Sequence, residues 1–203
     1  MVSLRFVKPS EPIERPLPPT GNAYIYECKW DGFRAQLHKQ GDAVQIYSRN
    51  GKWLPRFKPM LEPLSLLPAQ SAIIDAEFIA LSAKGLPDFR ALVGGQSHTL
   101  ACMCFDILEL NGKDLRPLSL IKRRQALHRL LTKADIPQLA FSEDQGDPLA
   151  LLMRLDQIGM EGIVSKLKDQ PYVSGRNAGW IKTKCHAWRK AHAGRGRLFA
   201  KKS

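Results

Sequence analysis

Five charged side chains stand where a β-rich chain ordinarily places apolar ones. Lys29 closes the alternating run "AYIYEC" and is followed by Asp31-Gly32, a turn signal. It reads either as a solvated lysine before a hairpin or as a nucleophile at the edge of a pocket. Glu77 lies inside "IIDAEFIA", on one strand face with Asp75 and Ile79, because side chains alternate along a strand. Two carboxylates on one face of a buried strand are costly unless paired or metal-bound. Glu161 opens "EGIVSK", just after a glycine that ends a helical pattern. Lys182 and Lys184 share a face of "WIKTKC", and two cations so placed need an anion opposite them. A site for a metal-bound nucleotide accounts for all five: lysines meet phosphates, and carboxylates meet Mg²⁺ or ribose hydroxyls. Neither GxxxxGK[ST] nor GxGxxG occurs, which excludes a P-loop and a dinucleotide fold.

The elements that must position these residues are mostly strands. "AYIYEC", "FRAQLHK" and "AVQIYS" predict a meander of three antiparallel strands, with Asp31-Gly32 and Gly41-Asp42 as turns. "LPRFKPMLEPLSLLP" has helical spacing broken by Pro59 and Pro63. "SAIIDAEFIAL" is a strand and "DFRALVGG" a short helix. "TLACMCFDILELNGKDL" predicts strand, Asn-Gly turn and short strand. "LSLIKRRQALHRLLTKA" predicts an amphipathic helix with a basic outer face, and "DPLALLMRLDQIG" another helix. "EGIVSK" and "WIKTKC" predict strands, with "YVSGRNAG" as a loop between them. The order is no regular βαβ repeat, so the fold class is α+β with largely antiparallel sheets. Met1 to Asn22, with five prolines, predicts an extended arm.

The chain of 203 residues is long enough for a real core, and 31 basic against 19 acidic residues give it a net charge of +12. No apolar run is long enough to span a membrane, and no export signal is apparent, so the expected compartment is the cytoplasm. Cys28, Cys102, Cys104 and Cys185 form no CxxC pair, which argues against structural zinc and for free thiols. After Asp169 there is no acidic residue, while nine lysines and arginines follow. A one-sign tail of this kind fits a polyanion contact.

Six motifs in order carry a resemblance. They are Lys29-Trp30-Asp31-Gly32 (KxDG), "SRNG" at Ser48 to Gly51, "DAE" at Asp75 to Glu77, "FDILELNGKDLR" at Phe105 to Arg116, "EGIVSK" at Glu161 to Lys166, and "KTK" at Lys182 to Lys184. From about Glu27 to Cys185 the chain resembles the nucleotidyltransferase domain of ATP-dependent DNA ligases, especially the short bacterial end-joining type. That resemblance implies an ATP-grasp-like fold of antiparallel sheets flanked by helices. It implies ATP and Mg²⁺ or Mn²⁺ as cofactors, with Lys29 as the nucleophile that becomes lysyl-AMP. Nearby cations and partial burial are expected to make that lysine neutral. Lys182 and Lys184 would hold the α-phosphate. Glu77 would bind ribose or metal, and Glu161 metal. Phe105 would stack on adenine, with Glu27 near the adenine edge and Cys28 beside it. Arg34 and Arg49 would contact ribose and phosphate.

The implied partners are double-stranded DNA with nicks or breaks and end-joining or repair proteins. The domain reading is an arm at 1–22, an adenylation domain at 23–188 and a basic tail at 189–203. Arg189, Lys190, Arg195 and Arg197 of that tail are expected on DNA. Two departures stand out. Ala76 replaces the usual glycine before Glu77, a small departure: a methyl there would crowd the ribose, but the strand is expected to tolerate it. Only residues 185–203 follow "KTK", where the family continues with an OB-fold domain. An RNA ligase or guanylyltransferase of the same superfamily is the alternative enzyme, and a non-catalytic DNA-binding accessory protein the alternative of another class.

Overall fold

The structure, a computed structural model, describes residues 4–83, 85–94 and 100–192. Two sheets carry it. The first has the order β1-β10-β9-β2, with β1 Ser10–Glu14, β2 Tyr24–Lys29, β9 Gly162–Leu167 and β10 Gly175–Lys184. The second has the order β4-β3-β5-β6-β7, with β3 Phe33–Gln40, β4 Ala43–Ser48, β5 Ser71–Ala80, β6 Leu100–Leu110 and β7 Lys113–Asp114. A three-residue β8, Leu139–Phe141, runs parallel to β6. Of the pairings, β1 with β10 and β6 with β8 are parallel and the rest antiparallel. The helices are α1 Leu61–Ser65, entered through a 3-10 turn at Pro55–Met60, then α2 Phe89–Gly94, α3 Leu120–Ala134, α4 Pro148–Gln157 and α5 His186–Ala191.

The strands do not form the expected meander. β3 and β4 pair as a hairpin, but β2 pairs with β9 in the other sheet. Trp30 to Gly32 is therefore a crossover between sheets, not a hairpin turn. Gly32 is there for proximity: a Cβ on it would lie 2.0 Å from the Phe78 carbonyl oxygen of β5. Local turn chemistry suggested a hairpin, and a long-range backbone contact decides otherwise.

Each sheet packs its own core. Ala35, Leu37, Ile74, Ala76, Phe78, Cys102 and Cys104 face Phe57, Leu64 and the α3 residues Leu127, Leu130 and Leu131. On the first sheet, Tyr26 and Ile163 pack on Leu151 and Leu155 of α4. The period-2 alternation of strands sends the intervening side chains to the opposite faces, which look toward the space between the sheets.

Three sequence expectations change here. "GRNAG" is not loop: β10 begins at Gly175, where residues 175–177 pair with Ser10 to Pro12 of β1. The arm at 1–22 thus contributes an edge strand, and the line drawn at 188/189 falls inside α5. The basic face of α3 is only partly outward. Arg123 and Arg124 are buried, because they occupy the stripe Leu120, Arg123, Arg124, Leu127, Leu130 and Leu131 at helical spacing. Arg195 and Arg197 lie outside the described residues.

Candidate active site

A crevice of about 680 Å³ opens between the two sheets. Lys29 ends β2 at the crossover, so its Nζ projects into this crevice and lies 2.7 Å from Glu161 Oε2. Glu161 immediately precedes β9, and Gly162 pairs with both Lys29 and Lys184. A Cβ at Gly162 would lie 2.1 Å from the Thr183 carbonyl oxygen, and its φ of +151 already favours glycine. That close approach presses the Glu161 corner against β10 and sets Glu161 beside the lysine.

Glu77 faces Lys29 from β5 of the other sheet. Burial pushes its carboxyl up to about 8, against the pull of Lys29 and Arg34, with Glu161 adding to the rise. Asp75, one turn of the pleat away, is already paired: its two oxygens accept from Arg34 Nε at 3.0 Å and Nη2 at 2.7 Å, and Tyr172 donates to it at 2.9 Å. Arg34 also donates to the Ser10 carbonyl at 2.5 Å, so much of its fork is held by protein. Ala76 sits in the core on the opposite face of β5, completely buried, so its methyl does not approach the crevice.

Glu27 is fixed more tightly than sequence alone suggested. Its Oε1 accepts from Arg124 Nη1 at 2.7 Å and from Lys166 Nζ at 2.8 Å. Lys166 is buried, and that burial pulls its ammonium below the usual lysine range, with Glu27 opposing. Its Nζ also lies 4.3 Å from the Phe105 ring centre and 4.4 Å from that of Trp180. Phe105 and Trp180 meet edge to face at 6.2 Å and both line the crevice. This corner offers an aromatic face beside a carboxylate with two fixed cations.

The crevice collects Glu27, Cys28, Lys29, Arg34, Arg49, Glu77, Phe105, Glu161 and Lys182 in one wall-to-wall set. Cys28 only borders it, since its side chain packs with the Tyr26–Leu155–Cys185 cluster on the α4 side and burial raises its thiol. Lys184 stands outside, 4.9 Å from the Trp188 ring centre on α5. Arg189 and Lys190 are exposed on α5.

A family model described as "ATP dependent DNA ligase domain" matches residues 6–184. The chain belongs to the ATP-dependent DNA ligase family. The multifunctional non-homologous end joining protein LigD of Pseudomonas aeruginosa is 34% identical over 174 residues, covering 83% of this chain and 21% of that protein. A probable DNA ligase of Mycolicibacterium gilvum is 32% identical over 177 residues, covering 81% of this chain and 35% of that protein. The ligase domain of M. tuberculosis LigD superposes with a TM-score of 0.71 at 26% identity, covering 88% of this chain and 60% of that one. A mycobacterial DNA ligase D complexed with ATP and MES gives the same TM-score at 27% identity and the same coverage. The chain therefore spans between a fifth and about a third of these curated relatives' length.

Sequence reasoning missed Lys166, Trp180 and Trp30 in the crevice wall, and Arg124, which holds Glu27 from behind without lining the crevice. The signal for Lys166 was present: in "GIVSKL" it shares a strand face with Val164, so a charged group sits where an apolar one is expected. Arg124 was hidden by treating a run of basic residues as solvated.

The donor set also bears on a metal. Among the described residues no group of three or more His, Cys, Asp or Glu side chains gathers to hold an ion. Glu77 and Glu161 across one crevice suit a hard cation that takes its remaining ligands from phosphate oxygens and water, as Mg²⁺ commonly does.

Proposed function

We propose that this chain is the adenylating core of an ATP-dependent DNA ligase that seals nicks or breaks in double-stranded DNA. The observation that carries the reading is Lys29 Nζ in the inter-sheet crevice, 2.7 Å from Glu161, with Glu77 and Lys182 in the same walls. Lys29 Nζ attacks the α-phosphorus of ATP, the N–P bond forms, and the bond to pyrophosphate breaks. An ammonium has no lone pair, so Nζ must first give up a proton, and Glu161 Oε2 is the carboxylate within reach. Lys182 meets the charge that builds on the phosphoryl oxygens, with Lys184 farther along the same strand face.

Phe105 and Trp180 supply the face for the base, and Glu27, held by Arg124 and Lys166, lies at its edge. Arg34 and Arg49 border ribose and phosphate. Glu77 would hold Mg²⁺ or Mn²⁺, joined by Glu161 once the Lys29 proton has passed on to solvent, and the cation would neutralise charge on the polyphosphate. AMP then passes from Lys29 to a DNA 5′-phosphate, and a 3′-hydroxyl displaces it. The basic residues of α5, Arg189 and Lys190, and those beyond it, Arg195 and Arg197, contact DNA phosphates. End-joining proteins are the expected assistants.

The test is incubation of AMP-stripped protein with α-labelled ATP and Mg²⁺ or Mn²⁺, followed by a chase with nicked DNA. Label that requires Lys29 and moves to DNA is the expected result. Absence of label from folded protein with either metal overturns the self-adenylating reading and favours an accessory DNA-binding role.

A further inference from the structure

At the mouth of the crevice, three cations converge on one carboxylate. Glu14 ends β1 opposite Lys182 of β10, and the Arg15 amide bonds the Lys182 carbonyl, so the register is fixed by backbone. Glu14 Oε2 lies 3.5 Å from Lys184 Nζ and 3.9 Å from Lys182 Nζ, and its Oε1 lies 3.9 Å from Arg189 Nη2. These separations are long for ion pairs, and the Glu14 side chain is 44% exposed. One negative charge faces three positive ones, so the cluster keeps an excess of two. The cations come from two elements, β10 and α5, and Trp188 backs Lys184 on the α5 side. An exposed carboxylate at such distances is weakly held, so an anion of higher charge competes with it for the same cations.

We infer that Glu14 is a built-in occupant of the cation cluster Lys182, Lys184 and Arg189 at the mouth of the crevice, displaced when a phosphate group binds there. The ligand is a phosphate group, either of the polyphosphate leaving the crevice or of a DNA strand crossing its mouth. The carboxylate weakens both affinities and keeps the three cations facing one point between binding events. The inference rests on the ligase reading only for these two ligands, and its own test does not require adenylation.

The full chain and its Glu14→Gln variant would be titrated with inorganic pyrophosphate by calorimetry and with nicked duplex DNA by fluorescence anisotropy. One of the two ligands is expected to bind about two- to fivefold more tightly to E14Q, the upper part of what an exposed ion pair corresponds to. Tightening for pyrophosphate alone assigns the polyphosphate, and tightening for DNA alone assigns a strand phosphate. In the DNA case the log–log salt slope steepens by about one. Adding Arg189→Ala to E14Q is expected to remove the gain, and a gain that survives overturns the three-cation site. Glu14→Ala, with thermal melting of both variants, guards against misfolding. If both folded variants bind both ligands as wild type does, or more weakly, Glu14 only braces β1 against β10 and the inference fails. Loss of Lys29 labelling, with the binding results intact, would instead count against the ligase reading alone.

Discussion

The floor of the crevice and its mouth are both built from ion pairs, but of opposite kinds. On the floor, Glu27 with Arg124 and Lys166, and Asp75 with Arg34, meet at 2.7–2.8 Å with side chains no more than 17% exposed. Behind them Asp106 and Arg123 are paired at 2.8 Å and wholly buried. At the mouth, Glu14 meets its three partners at 3.5–3.9 Å with exposures of 23–44%. A buried charge that loses its partner is heavily penalised, whereas an exposed one is re-solvated almost freely. The floor therefore holds one arrangement, and the mouth trades partners. The lesson is that neither charge nor tight pairing alone marks a ligand contact: Asp106 and Arg123 satisfy each other inside the protein, whereas Lys29 and Glu161, just as close at 2.7 Å, stand in the crevice wall where a ligand reaches them.

The sharpest division between the regions is at Lys29. Lys29→Ala is expected to abolish covalent AMP while leaving nicked-DNA binding within about twofold, because none of the floor pairs passes through it. Gel autoradiography with α-labelled ATP and DNA anisotropy on the same sample check both halves. Next is Arg123→Met, which leaves Asp106 buried without its partner and is expected to cost about 3–5 kcal/mol, or on the order of 10 °C in melting temperature. The double change Asp106→Leu/Arg123→Met should recover most of that loss. A single variant as stable as wild type would break the claim that the floor is rigid scaffold.

His38, buried on β3, gives an intermediate effect. Burial lowers its pKa from the usual 6.5 to about 4. Between those values the unfolded chain binds a proton that the folded one refuses, so stability falls as pH drops from 6.5 toward 4. The loss amounts to about 3 kcal/mol and levels off once the folded form also protonates. Denaturant midpoints across this range should slope for wild type and flatten for His38→Phe. The smallest effect belongs to the mouth: Lys184→Ala is expected to change stability by less than about 1 kcal/mol, seen as an unshifted melting curve.

Much of this was legible in the chain. Strand patterning located β2, β3, β5, β6 and β9, and Gly159 marked the end of α4 just before the Glu161 corner. What stayed hidden depended on contacts between distant segments. "GRNAG" has weak strand propensity and becomes a strand through β1, some 165 residues earlier. The crossover at Trp30 to Gly32 looks like a turn until the Phe78 carbonyl is in place. Arg123 and Arg124 looked solvated because hydrophobicity registers apolar side chains and not cations that replace them in a helical stripe. Ala76 was judged against the wrong face, an error that one step along a strand produces.

The absence of a side chain at Gly32 has a mechanical corollary. Three residues join the two sheets at that corner, and the last lies in van der Waals contact with β5, one residue from Glu77. A chain that short spans at most about 11 Å. The corner consequently works as a spacer of fixed length that keeps the end of β2, with Lys29, close to β5, with Glu77. The two sheets are also fastened elsewhere, by Arg34 donating to the Ser10 carbonyl and by Ile25, Phe105 and Trp180 packed between them, so a ligand meets a mould already set rather than jaws that must close.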